Sequence, residues 1–203
     1  MSDPPVERRT TREHLSHLLG EALAAGERRA LVVVGNPLDE TTTLGPMARA
    51  SFADHVRAQI NEALRKGAER RIELKADGDR AGSPYLAPEV LTNVDHQMAV
   101  MREESFGPVV GIMKVRDDDE AVDLMNDSPY GLTASIWTAD VDEAAAIGDR
   151  IATGTVFMNR CDYVDPGLVW TGVKDTGRGV TLSKLGYEYL TRPKSYHLRV
   201  DIG

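Results

Sequence analysis

Cys161 is the only cysteine of the chain, and an isolated thiol is a candidate nucleophile when a base stands beside it. His14, His17, His55, His96 and His197 could supply that base, but no spacing in the sequence pairs any of them with Cys161. The expectation for Cys161 is therefore a small packing residue. His14 and His17 share one helical face, yet two histidines without a third ligand make a poor metal site. The run Asp117, Asp118, Asp119, Glu120 could hold a cation. It also stands where a helix amino terminus favours acids electrostatically, and the helical reading is preferred. Gly172, Gly177 and Gly179 could cradle a phosphate, but they do not follow a strand and open a helix in the order such a loop needs. Glu104 stands apart from these. It opens a Glu-x-Phe-Gly-Pro motif, Glu104 to Pro108, directly ahead of a strand-like apolar run; at the least its carboxylate caps a turn before Gly107-Pro108.

The elements that must position these residues are legible from period and punctuation. Thr10 with Glu13 forms a capping box before an amphipathic stretch of Leu15, Leu18, Leu19, Ala22 and Leu23. A second helix is predicted from Ala48 to Lys66, with Phe52, Val56, Ile60, Ala63 and Leu64 on one face and Gly67 as its left-handed stop. Residues 70–75 alternate like a half-buried strand, and 76–85 read as a turn or loop. From Val109 a regular succession follows: a strand over 109–115, a short helix over 117–127, a strand over 130–138, a helix opened by an Asp140–Glu143 capping box, and a strand over 154–159. Strand–helix–strand succession at this spacing predicts an α/β fold with a mostly parallel open sheet and flanking helices. A long irregular segment over 160–179 comes next, and loops of that length are more often functional than not. A short helix over 182–190 and an alternating edge strand over 194–200 close the chain.

With 203 residues, the chain can build one sizeable core or two small ones. The formal net charge of −8 argues against a nucleic-acid partner. A single cysteine excludes an internal disulfide framework and suits a reducing compartment. The apolar run Ala30 to Val34 is too short to span a membrane, and the first residues lack the apolar core of a secretory signal. A cytoplasmic protein is the default expectation.

Several blocks, taken together, resemble the aldehyde dehydrogenase superfamily. They are Val34 to Ala48, the helix ending at Gly67-Ala68, the Pro-Glu-Val-Leu segment, Glu104 to Pro108, Tyr130 to Thr138, Gly154 to Asn159, the glycine-rich loop and Leu185 to Val200, all in family order. Val6-Glu7-Arg8 also resembles a triplet that members carry shortly after their nucleophile. The resemblance implies a catalytic-domain portion over 30–189, preceded by a segment at 1–29 with an amphipathic helix. A carboxyl-terminal oligomerisation strand and tail follow at 190–203. It implies that Glu104 hydrogen-bonds the nicotinamide ribose of NAD or NADP, because a carboxylate accepts from both hydroxyls of one sugar edge. It implies that Phe106 packs beside the nicotinamide ring; Glu103 stands one residue too far from Phe106 to take the ribose role.

The same resemblance places Asn159 at the end of its strand and Asp162, Val164 and Trp170 at the mouth of an aldehyde tunnel. Where many members have Phe-Gly-Gly, this chain has Trp170-Thr171-Gly172, so the family's substrate class does not transfer. The family's nucleophilic cysteine, general base and dinucleotide domain all belong upstream, so no catalytic residue and no metal ligand is assigned. The expected protein is the carboxyl-terminal portion of a dehydrogenase, inactive alone. Alternatives are a non-catalytic binding or regulatory homologue, or half of a split enzyme whose partner chain carries the dinucleotide domain. Homo-oligomerisation through the last strand is expected as well.

Overall fold

The computed structural model describes residues 32–72, 76, 78–161, 163–201 and 203. The predicted amino-terminal helix, His14, His17 and Asp162 lie outside the described residues. Contacts divide the chain into two compact units at Lys114/Val115, a division that the sequence reading does not draw.

The first unit, described from residue 32, is organised by helix α1, Ala50–Arg65. Residues Ala53, Val56, Ile60 and Ala63 recur at helical spacing and are buried, and Gln59 is buried among them. Gly67, at φ 106°, supplies the predicted stop, and the Ala68 N–H donates back to the Ala63 carbonyl at 3.0 Å. One expectation fails here. Phe52 is 51% exposed with the Arg49 guanidinium 5.7 Å from its ring centroid, because the buried stripe is centred one residue further on, at Ala53.

Strand β1, Glu69–Arg70, pairs antiparallel with β2, Glu89–Thr92, and β2 pairs parallel with β3, Val109–Ile112. Of the strand expected over 70–75, Arg70 lies in β1 and the Arg71 N–H donates to the Val90 carbonyl at 2.9 Å, while 73–75 lie outside the described residues. A single turn of helix, α2, Ala99–Arg102, lies between β2 and β3. Neither β2 nor α2 is predicted: Glu89–Thr92 does not alternate, and α2 is a single turn, too short for a helical period to register. The core joins Leu91, Val94 and Met98 to Ala63 and Ala68. Fully burying side chains the size of Leu91, Met98 and Val56 contributes about 1.5–3 kcal/mol each.

The loop between β1 and β2 is pinned to α1 by Arg57. Its guanidinium donates to Asp79 Oδ1 at 3.0 and 2.9 Å, to Asp54 Oδ1 at 2.7 Å, to the Ser83 carbonyl at 3.1 Å and to the Tyr85 carbonyl. Asp79 in turn accepts from the Ala87 N–H at 2.9 Å.

The second unit comprises α3, Asp118–Asn126; β4, Tyr130–Gly131; β5, Thr133–Ile136; α4, Val141–Gly148; β6, Thr155–Met158; β7, Trp170–Thr171; β8, Val173–Lys174; β9, Val180–Thr181; and α5, Ser183–Leu190. β5 and β6 pair in parallel across α4, as the strand–helix–strand spacing predicts. Val122, Ala134 and Ile151 form the core beneath the helices, with Ile136 and Ile147 packed against it. The strand expected over 130–138 breaks at Leu132: β4 turns away to pair antiparallel with β8. The expected single sheet is therefore replaced by a mixed three-stranded sheet in the first unit and three two-stranded pairs in the second. The α/β class stands.

Two further expectations are corrected. The long segment after β6 is not irregular throughout, since β7, β8 and β9 lie within it or at its end. Asp140 caps α4 by accepting from the Asp142 and Glu143 N–H groups, but Glu143 does not return a bond to Asp140. Thr138 intervenes; its hydroxyl accepts from the Asp140 N–H at 3.1 Å and donates to Glu143 at 2.7 Å. Residues 194–200 pair with no strand of their own chain among the described residues, and the pairing expected of them is with a second copy.

The acidic run 117–120 serves its helix. Asp117 accepts from the Glu120 N–H at 2.9 Å, Asp119 meets Arg150 at 2.7 Å, and Glu120 accepts from the Arg116 N–H at 2.6 Å. That backbone hydrogen bond, with the Arg116 side chain, holds the Glu120 carboxyl below its ordinary value of 4.5. A carboxyl lowered in the folded state contributes stability above its unfolded value and loses it as pH falls through the folded one. Unfolding of the second unit, followed by fluorescence of Trp137 and Trp170, should lose stability as pH drops below about 4.5. Glu120→Gln should flatten that profile, and an unaltered profile would remove Glu120 from the account.

Candidate functional site

The turn carrying Glu104 and Phe106 hangs between two fixed ends. At the first, the Glu103 N–H closes α2 on the Ala99 carbonyl at 2.8 Å, and the Glu103 carboxylate accepts from Gln59 Nε2 at 3.3 Å. At the second, Gly107 lies flat against α1, where a Cβ would come within 2.8 Å of Val56 Cγ2 and 3.3 Å of Met47 Cε. The Pro108 carbonyl then accepts from the Glu89 N–H at 2.8 Å, which starts the ladder into β3. Between these ends the chain turns outward, and Phe106 takes φ 46°. A left-handed phenylalanine costs about 1–3 kcal/mol and persists only where its surroundings over-determine it.

The consequence for the side chains is simple. Phe106 is 82% exposed and contributes nothing to the core. The Glu104 carboxylate is exposed and makes no hydrogen bond or ion pair with the described residues. An exposed carboxylate, able only to accept, and an exposed aromatic face stand two residues apart on one turn. Such a pair can take a ligand that offers hydroxyl donors beside a flat ring.

In the second unit a separate concavity of about 230 Å³ lies against β6. Thr155 and Phe157 of β6, Arg160, Tyr163, Leu168 and Trp170 line it. The Arg160 guanidinium sits 4.1 Å from the Tyr163 ring centroid. Trp170 lines this hollow, while Val164 is 53% exposed and stands outside the lining. Asn159, at φ 55°, closes β6 structurally: its amide donates to the Thr138 carbonyl at 2.8 Å and accepts from the Thr138 N–H at 3.1 Å. Cys161 is exposed, so the packing role expected of it is wrong; it follows β6 on a surface loop whose side chains leave it uncovered. Gly177 and Gly179, at φ 110° and 122°, shape the turn from β8 to β9 rather than a strand-to-helix phosphate loop.

Among the described residues no group of three or more His, Cys, Asp or Glu side chains could hold a metal ion. No described helix is long and apolar enough to cross a membrane. Sequence reasoning missed Gln59 and Glu103 as parts of the site. The signal was available: Gln59 is a polar residue on the apolar stripe between Val56 and Ala63.

The Aldehyde dehydrogenase family profile matches residues 17–196. A succinate-semialdehyde dehydrogenase [NADP(+)] of Deinococcus radiodurans is 37% identical over 171 residues, covering 83% of this chain and 35% of that protein. A succinate semialdehyde dehydrogenase [NAD(P)+] of Escherichia coli is 38% identical over 157 residues, covering 77% of this chain and 34% of its own length. The chain therefore spans about a third of the curated relatives it matches. Among solved structures, the succinic semialdehyde dehydrogenase of Streptococcus pyogenes in complex with NADP+ superposes with a TM-score of 0.70 at 31% identity, over 87% of this chain and 37% of that one.

Proposed function

This chain belongs to the aldehyde dehydrogenase family, and from that premise we propose that it is the carboxyl-terminal portion of an NAD(P)-dependent aldehyde dehydrogenase, inactive by itself. The presentation of Glu104 and Phe106 carries this reading. A free carboxylate matches the two hydroxyls of a nicotinamide ribose, and the exposed ring matches the nicotinamide face. When bound, the nicotinamide is the group that accepts hydride. Glu104 and Phe106 would set the distance and facing of that ring; they supply no proton and no nucleophile. NAD and NADP share the nicotinamide riboside, so both suit these two residues equally.

Asp162, Val164 and Trp170 are the residues assigned to the aldehyde tunnel by resemblance, and the hollow lined by Trp170 supports that role for Trp170. Aldehyde oxidation further needs a thiolate, donors for the oxyanion and a base that activates water. Cys161, exposed on the loop after β6, does not fill the thiolate's place. Those groups and most of the dinucleotide surface are to be supplied by another part of the enzyme or by a partner chain.

A second reading is a non-catalytic homo-oligomer, favoured by the exposed alternating side chains at the carboxyl end. Tyr196, Leu198 and Val200 are 71%, 80% and 96% exposed, an apolar row suited to pairing with a second copy. The native mass of the protein isolated from its own source, with its subunits identified, separates the readings. A stoichiometric complex with a larger chain bearing the cysteine and dinucleotide domain is expected. A particle built only of 22.2 kDa chains would favour the homo-oligomer.

A further inference from the structure

We propose that Gln59 is a positioning residue for the Glu104–Phe106 turn, acting through Glu103; this rests on the nicotinamide-site reading of that turn. Gln59 is 3% exposed on the core face of α1, between Val56 and Ala63, where the neighbouring buried residues are apolar. Its Nε2 donates to Glu103 Oε2 at 3.3 Å, and its Oε1 accepts nothing from the described residues. The orientation is set by charge: turned over, the amide oxygen would face the carboxylate. A half-satisfied buried amide is a poor core residue, since an unpaired buried acceptor costs free energy that an apolar residue of similar shape would not. What it does accomplish is local. It ties Glu103, which is otherwise exposed, to the same helix that holds Gly107 through Val56. His55 Nε2 stands 4.0 Å from the same Glu103 oxygen and adds a weaker approach from the surface.

Helix α1 therefore grips the turn at both ends. Among the described residues, 104 to 106 make no hydrogen bond to that helix, so their outward, left-handed path follows from the span between the two grips. Gln59 provides the polar grip and Val56 the apolar one.

The two are separable by experiment. In Gln59→Leu the core gains a well-packed aliphatic residue, so the melting temperature should hold or rise. The turn should meanwhile be released: in backbone NMR spectra the Phe106 shifts should move from left-handed towards averaged values, and amide exchange at Ser105 and Phe106 should quicken. Glu103→Ala, at an exposed position that leaves the core alone, should release the turn in the same way, whereas Glu103→Gln keeps an acceptor and should restore wild-type signals. Titration with nicotinamide mononucleotide should perturb Glu104 and Phe106 in the wild type and bind about five-fold more weakly to Gln59→Leu, the worth of one net hydrogen bond. Turn signals that superimpose on the wild type in both Gln59→Leu and Glu103→Ala would overturn the proposal, and a lowered melting temperature with unchanged turn signals would make Gln59 a packing residue. If the turn is released but wild-type Glu104 and Phe106 ignore the mononucleotide, the positioning role stands and the nicotinamide reading falls.

Discussion

Arg57→Ala is expected to destabilise the first unit by about 3–5 kcal/mol, the range for removing one partner of a largely buried charged network. The Arg57 side chain is 15% exposed and meets two carboxylates and two carbonyls, so truncation removes donors from four acceptors at once. Asp79 is 25% exposed and would be left facing the vacated space. The loop from Gly78 to Ala87 would keep the Gly82 N–H on Asp54 but lose the guanidinium's bonds to Asp79, Ser83 and Tyr85, and the start of β2 would loosen with them. Arg57→Lys should recover little, because an ammonium cannot reproduce a planar fork that reaches Asp54 and Asp79 together. Urea unfolding followed by far-ultraviolet circular dichroism checks the size, and a change below about 1 kcal/mol would place Arg57 with ordinary surface ion pairs.

Gly154→Ala should be at least as damaging to the second unit. A Cβ there would fall on the Thr171 carbonyl oxygen, 2.5 Å from its carbon and 3.1 Å from the Gly172 nitrogen. These are backbone atoms, held in place by the β7–β9 and β4–β8 pairings, so no side-chain rotation can relieve the clash. Overpacking of this kind costs about 1–3 kcal/mol when side chains can yield and more when only backbone is available. A loss of about 3 kcal/mol or more is expected in unfolding read by tryptophan fluorescence. Both tryptophans lie in the second unit, so the signal isolates it from the first. A wild-type transition would mean that β6 and β7 approach less closely than described.

α1, α3, α4, α5, β5 and β6 stand within a few residues of where spacing, caps and strand–helix–strand succession put them. β2 has the same four residues as β5 and β6 in length, but Glu89–Thr92 does not alternate and falls outside that succession. β7 to β9 have two residues each, and their existence depends on distant partners that local pattern does not encode. The carboxyl-terminal run 194–200 is a different case. Its alternation suits a strand, but alternation says nothing about where the neighbour is, and the neighbour expected here belongs to a second copy. At the candidate site, the motif Glu104 to Pro108 was visible as types and order, whereas its presentation was not. That Phe106 would be left-handed, Glu104 free and Glu103 tied inward depends on Gly107 meeting Val56, a contact across 51 positions of sequence. The placement of Cys161 on the surface was missed for a related reason, since a small apolar residue type carries no record of which loop it rides.

Phe106 also bears on how this sequence should drift. A residue held at φ 46° with its ring in solvent is opposed by backbone energy and unsupported by burial, so stability alone selects against it. Glycine or asparagine would relieve the turn at once, and Phe106→Gly is open to any lineage in which nothing uses the ring. Close relatives that have abandoned the site should therefore lose the aromatic at this position before they lose Gly107, whose replacement would strike Val56. Relatives that keep phenylalanine at 106 while their core residues vary would show a surface still under selection.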